Sequence, residues 1–283
     1  MNTRKWLIGA ALFVTAPWVL AQGFNGGLPA GWTCAGTCGT LGANGDITLS
    51  GVAGSTAYGY VVTGGSNENG KLLSPFDSGG GFGGGGLGGE TNGSRLRSGS
   101  FGALAGDALN FKFNYISSDG TGSFIEYAWA VVRNAADNSV AALLFTGRTN
   151  PSGPPVPGFG LPPASATVNG GVPVVMHAGG PHWSPLGGYS GACYGAGCGY
   201  TGWVDSTFAF GATGNYYLEF GVINWGDTAY DAGFAFDGIT VAGVPIEDIP
   251  GDPVGSIPEP STYAMLVAGL AMLGFMARRR RNG

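Results

Sequence analysis

Leu109, Phe111, Phe113 and Tyr115 alternate with Asn110, Lys112 and Asn114 over seven consecutive positions. A strict period of two places four large apolar side chains on one face and three polar ones on the other. Only a half-buried β-strand satisfies that pattern. Other segments read as strands from their apolar, β-branched and aromatic content: Thr56 to Gly65, Phe124 to Arg133, Val140 to Thr146, "NYYLEFGVINWGD" and "AGFAFDGITVAG", in which Phe234, Phe236 and Ile239 are expected in the core. Asp46 to Ser50 also reads as a strand. "ADNS" between Phe124–Arg133 and Val140–Thr146 is turn chemistry and predicts a hairpin. No segment between the two termini has helical periodicity. Nine or ten short strands separated by turns imply an all-β chain folded as an antiparallel β-sandwich.

Two stretches interrupt the strands. Gly79 to Gly89 holds nine glycines in eleven residues, and its backbone loses the most entropy on ordering, so a mobile loop is expected. Pro151 to Pro163 holds six prolines and predicts a stiff, exposed excursion.

Both termini differ from the rest. "MNTRKWLIGAALFVTAPWVLAQ" has a basic start at Arg4 and Lys5, an apolar run from Trp6 to Leu20, and Ala21 before the expected cut. That is a secretory signal peptide over residues 1–21, to be removed by signal peptidase. The other end reads "PEPSTYAMLVAGLAMLGFMARRRR". Its sixteen uncharged residues, 262–277, would span about 24 Å as a helix, short of a bilayer's ~30 Å. Arg278, Arg279, Arg280 and Arg281 extend its reach, since their stems snorkel to the interface and their charge stays cytoplasmic. Pro258 and Pro260 cannot continue the helix upstream and leave Glu259 in an extended segment at the membrane face.

This order of parts resembles the PEP-CTERM sorting signal of Gram-negative bacteria, here at residues 258–283. The resemblance implies that Pro258, Glu259 and Pro260 are the recognition motif, that residues 262–277 are a short transmembrane helix, and that the four arginines are a retention signal. It also implies a partner, an exosortase-type membrane protease or transpeptidase, and an exported protein anchored in the inner membrane, then released to the cell surface or matrix. Such proteins are associated with exopolysaccharide and biofilm. The segments "AGDALNFKFNYI" and Ala232 to Val241 resemble the jelly-roll ectodomains found before such tails, related in general shape to carbohydrate-binding modules. The expected ectodomain is residues 22–257.

Between those bounds lie six Lys/Arg and sixteen Asp/Glu, a net charge near −10. Such a surface repels phosphate and excludes nucleic acid as a partner, while it suits divalent cations and neutral polysaccharide. Export into an oxidising compartment makes the four cysteines disulfide candidates. Cys34–Cys38 and Cys193–Cys198 are the favoured pairs, each closing a short glycine-bearing loop. A four-thiolate zinc site is the rival.

Candidate chemistry is sparse. His177 and His182 sit on a Gly/Pro-rich segment and read as solvated. "GYSGA" has Ala192 where a nucleophile elbow needs glycine. Glu126, Glu219 and Asp205 are the carboxylates from which a glycoside hydrolase would be built, the least favoured of three readings. No catalytic residue and no cofactor is assigned. Asp227, Asp231 and Asp237 could contribute to a Ca²⁺ site. Among the aromatics of the second half, Trp183 and Tyr189 are the rings chosen as possible sugar-stacking platforms, with core packing as the alternative. The function expected is that of a non-enzymatic structural or adhesive surface protein. A carbohydrate-binding module is the alternative.

Overall fold

The alternation at 109–115 is realised in full: Leu109, Phe111, Phe113 and Tyr115 all enter the main core. In the computed structural model, which describes residues 23–150, 152–169 and 180–251, that segment is one strand of an antiparallel sandwich. The principal strands are β1 (Thr33–Ala35), β2 (Thr37–Leu41), β3 (Tyr58–Val62), β4 (Glu90–Arg97), β5 (Ala108–Ser117), β6 (Tyr127–Asn134), β7 (Val140–Arg148), β8 (Thr167–Asn169), β9 (Val204–Ala209), β10 (Gly214–Trp225) and β11 (Ala232–Val241). One sheet runs β1-β4-β10-β6-β7 and the other β8-β9-β5-β11-β3-β2. The pairings along both paths are antiparallel. The only α-helix among the described residues is the four-residue turn Gly70–Leu73.

The main core lies between the sheets, where Phe113, Phe145, Phe220, Phe234 and Phe236 form a contiguous aromatic stack. The expected hairpin is β6–β7, and Phe234, Phe236 and Ile239 are core residues as anticipated. Two smaller clusters cover parts of the outer faces. Ile47, Tyr58, Val62, Trp183 and Leu186 cover one sheet; Leu73, Phe76, Tyr127, Trp129 and Ile223 cover the other. Each is roofed by a loop.

Three segments differ from expectation. Asp46–Ser50 is no strand; it contributes one isolated bridge, Asn44 to Ile47, because Ile47 packs into the core while Asp46 turns to bond the chain at His182. The glycine-rich segment has its own hydrogen-bonding centre. Asp77 accepts from the amides of Gly79, Gly81 and Gly83, and Glu90 accepts from those of Leu87 and Gly88. The proline-rich excursion runs along β7 rather than standing free. Val156 is buried, and the Gly158 amide donates to the Thr146 carbonyl at 3.0 Å.

No helix among the described residues is long and apolar enough to cross a membrane. The expected signal peptide (1–21), the sorting motif, the 262–277 helix and the arginine cluster lie outside the described residues, as does His177.

Candidate functional site

The rings read as sugar platforms flank a single 3-10 segment, Ser184–Tyr189, and meet opposite fates. Pro185 sets its first turn, and Gly187 kinks it at φ +58°, a conformation that favours glycine. Trp183, just before the segment, is fully buried. Its Nε1–H donates to the Tyr58 hydroxyl at 2.9 Å, and its ring meets Tyr60 edge-on at 5.5 Å. Gly233 on β11 makes the room, since a Cβ there would lie 2.2 Å from the Trp183 ring. Trp183 has no free face on which a sugar could stack. It anchors the segment instead.

Tyr189, at the far end, is only half-buried. Its ring packs on Tyr230 at 4.8 Å, and Tyr230 on Tyr194 at 5.1 Å. The three form a short aromatic row, whose Tyr189 end lines an open cleft of about 910 Å³. Glu68, Asn69, Lys71, Asn92, Thr228 and Asp231 line the rest. Asn92 donates to the carbonyls of Thr63 and Ser66, at 3.0 and 3.1 Å, and its buried Oδ1 has no partner. Asp231 accepts from the Thr63 hydroxyl at 2.9 Å; burial pushes its carboxyl above the ordinary range. The cleft thus offers one aromatic ring, Tyr189, with amides, hydroxyls, carboxylates and the Lys71 ammonium around it. That chemistry suits an uncharged polyhydroxy ligand.

The three carboxylates considered for hydrolysis do not meet. Glu126 follows the inward parity of Ala128 and Ala130, whereas Glu219 lies opposite Arg97 and Val131 on the outer face of the same sheet. Asp205 is exposed on the other sheet, paired with Lys112 at 2.6 Å. No two of them flank one cleft.

Glu126 belongs instead to a polar cluster inside one end of the sandwich. Its Oε2 accepts from Ser117 at 2.8 Å and Thr149 at 3.1 Å. Its Oε1 and the Asp119 Oδ2 are buried without a donor. Burial, with the charge of Asp119 adding to it, pushes Glu126 far above the usual carboxylate range; burial likewise pushes Asp119 up to about 6.

The Ca²⁺ ligands suggested by sequence do not gather. Asp231 precedes β11 and is held by Thr63. Asp237, six residues on and so roughly 20 Å along an extended strand, accepts from Ser50, Ser55 and the Gly238 amide. Among the described residues no three His, Cys, Asp or Glu side chains form a metal-binding group. His182 is exposed beside Asp46, with Nδ1 3.4 Å from Oδ2. The cysteines pair as Cys34–Cys38 and Cys193–Cys198, which removes the thiolates a zinc site would need.

Sequence reasoning missed a second site on the outer face of the β4-containing sheet. There Arg95, Arg97 and Arg133 surround Glu219. The local signal was the i, i+2 pair in "SRLRS", Ser94 to Ser98, which puts two guanidinium groups on one face of a strand.

Similarity to known proteins is slight over the folded region. The K1 and K3 cleaved adhesin domains of Lys-gingipain from Porphyromonas gingivalis W83 each have a TM-score of 0.35. They are 13% and 14% identical, with 77% and 79% of this chain covered and 93% and 97% of theirs. At that level neither bears on what this chain binds. No curated protein matches the chain. Residues 256–281 match the PEP-CTERM protein-sorting motif. Pro258-Glu259-Pro260, the apolar run and the arginine cluster all fall inside that match, and the chain accordingly carries a PEP-CTERM sorting motif at residues 256–281, which implies an exported protein.

Proposed function

We propose that the chain is a non-catalytic structural or adhesive protein of the cell surface or extracellular matrix, delivered there by an exosortase-type system. The observation that carries this reading is the sorting motif at 256–281. In this reading signal peptidase removes residues 1–21. The run 262–277 holds the chain in the inner membrane, Arg278 to Arg281 keep its end cytoplasmic, and the sorting enzyme acts near Pro258-Glu259-Pro260. The folded region supports the non-catalytic part, because its candidate carboxylates are dispersed over two sheets and opposite faces. The test is intact mass of the protein from cells that carry or lack the sorting enzyme. The expected product begins at Gln22, and it loses its C-terminal arginines only where the enzyme is present. Recovery of Met1 to Gly283 unprocessed from both strains would overturn the reading.

A second reading is favoured by the aromatic row. Tyr189, backed by the Tyr230 ring, borders a polar cleft open enough for a sugar chain, so polysaccharide is the partner it fits. Tyr189→Ala should abolish retention of the protein on a neutral glycan that binds the wild type. Unchanged retention would remove the cleft from the account.

A further inference from the structure

Glu219 sits in the middle of its sheet with a fully buried side chain, and its two oxygens are already well supplied with donors. Arg97 Nε donates to Oε2 at 2.8 Å, and Arg133 Nε to the same oxygen at 3.1 Å. Arg133 Nη2 donates to Oε1 at 3.0 Å, and the Trp129 indole N–H approaches it at 3.4 Å. Arg133 spends its remaining Nη1 on the Asn138 carbonyl at 2.8 Å. Arg95 is left over: its Nε stands 3.8 Å from Oε2, an ion pair without a hydrogen bond.

The terminal nitrogens of Arg95 and Arg97 therefore have no acceptor among the described residues, and the two side chains keep 19% and 35% of their exposure. They project from the same face, two residues apart on β4, roughly 7 Å between their origins. The Tyr217 ring lies 5.6 Å from the Arg97 guanidinium and supports it. On the edge side the neighbours in register are small, Thr33 opposite Arg97 and Ala35 opposite Arg95; on the inner side the Trp129 ring lies over Gly221, the partner of Arg95.

Charge is the second argument. Lys71, Arg95, Arg97, Lys112, Arg133 and Arg148 are the six cations between residues 22 and 257, and three of them meet here around one carboxylate. A local surplus of two positive charges thus sits on a domain of net charge near −10. Burial holds the Arg95 guanidinium below its usual range; Glu219 opposes that shift, while Arg97 and Arg133 add repulsion. A bound anion would relieve what Glu219 alone leaves uncompensated.

We propose that Arg95 and Arg97 form a binding site for the carboxylates of an acidic, uronate-bearing polysaccharide. The planar fork of a guanidinium matches a planar carboxylate through two parallel hydrogen bonds. Two forks on a strand face accept a chain carrying one carboxylate per sugar. A nucleic acid, with its denser charge, meets repulsion from the surrounding acidic surface. This site lies at the opposite end of β4 from Asn92 and the Tyr189 cleft, so it stands or falls independently of the neutral-glycan reading.

The test measures binding of the full-length protein, in mild detergent, to polygalacturonate at low ionic strength, with dextran as the uncharged control. Wild-type protein should bind polygalacturonate, and added salt should weaken the complex. Arg95→Gln should reduce affinity by about tenfold or more, the loss of charge-assisted hydrogen bonds; Arg95→Lys should fall between. Arg95→Gln keeps both arginine partners hydrogen-bonded to Glu219, so the fold should survive. Should that variant not fold, Thr33→Glu places a negative charge on the exposed edge opposite Arg97 and should also abolish binding. Tyr189→Ala should leave polygalacturonate binding unchanged. Wild-type protein that ignores polygalacturonate, a folded Arg95→Gln variant with wild-type affinity, or loss in Tyr189→Ala instead would overturn the proposal.

Discussion

Trp183 donates its indole N–H to the hydroxyl of Tyr58 across 2.9 Å, and both rings are fully buried. The bond ties the Ser184–Tyr189 segment to β3. Burial pushes the Tyr58 pKa up to about 12 against the lowering effect of this bond, so the phenol is neutral at any physiological pH. Trp183→Phe keeps most of the ring and strands one buried hydroxyl, a cost of about 1 kcal/mol. Trp183→Ala opens a cavity beside Gly233 and should cost about 3–5 kcal/mol. Urea unfolding followed by far-UV circular dichroism reads both. An Ala variant as stable as wild type would mean that Trp183 is no anchor.

That pair also marks where the sequence stops being legible. The inward residues of β5 and β11 announce themselves through alternation, which is a local property. The two disulfides do so through short spacing. The difference between Trp183 and Tyr189 is not local: it depends on Gly233, fifty residues away, leaving space for one ring. Glu126 and Glu219 both read as carboxylates in strands, yet the parity that turns one inward and the other outward appears only once β6 and β10 are in register. Asp46–Ser50 carries strand-forming residues, but its bonds go to scattered partners: Asp46 to His182, Ile47 to Asn44, the Thr48 carbonyl to Trp203 and the Ser50 hydroxyl to Asp237. Arg95 and Arg97 show their shared face in the sequence. Arg133 and Glu219 join them only through pairing across three strands.

The polar cluster at the end of the sandwich predicts a direction for stability against pH. Burial raises Glu126 and Asp119, the latter from an ordinary 3.8 to about 6. A carboxyl raised in the folded state holds its proton more tightly folded than unfolded. Its contribution is therefore most favourable at low pH, and it is lost as pH rises from the unfolded value through the folded one. For Asp119 that window runs from 3.8 to about 6; for Glu126 it begins at 4.5 and extends higher. Glu126→Gln cannot ionise. Relative to wild type it should gain stability as pH rises above 4.5, as the wild-type cost develops. Urea midpoints for both proteins across that range provide the check. Parallel curves would show that Glu126 does not titrate in the folded state as its surroundings require.

Asp77 organises the glycine-rich segment with one carboxylate. Its Oδ1 accepts from Gly79 at 2.8 Å and Gly81 at 2.9 Å, and its Oδ2 accepts from Gly83 at 2.9 Å. The main chain adds a bond from the Asp77 amide to the Gly81 carbonyl and one from Gly80 back to the Asp77 carbonyl. The amides, Gly81 and Gly83 foremost, hold the Asp77 carboxyl below its ordinary pKa despite some opposing desolvation. Loss of the carboxylate should thus free three amides at once, without disturbing Phe76, which stays packed against Tyr127 and Trp129. Asp77→Ala is expected to speed hydrogen–deuterium exchange across residues 77–89 and leave β6 and β10 protected, with Asp77→Asn intermediate because its amide still offers one acceptor oxygen. The carboxylate's pKa is depressed, so its hold is present above the unfolded value and lost as pH falls through the folded one. Acidification of the wild type should reproduce part of the Ala effect. If the segment in Asp77→Ala exchanges at the wild-type rate, its order comes from the packing of Phe76 and Leu87 rather than from this carboxylate.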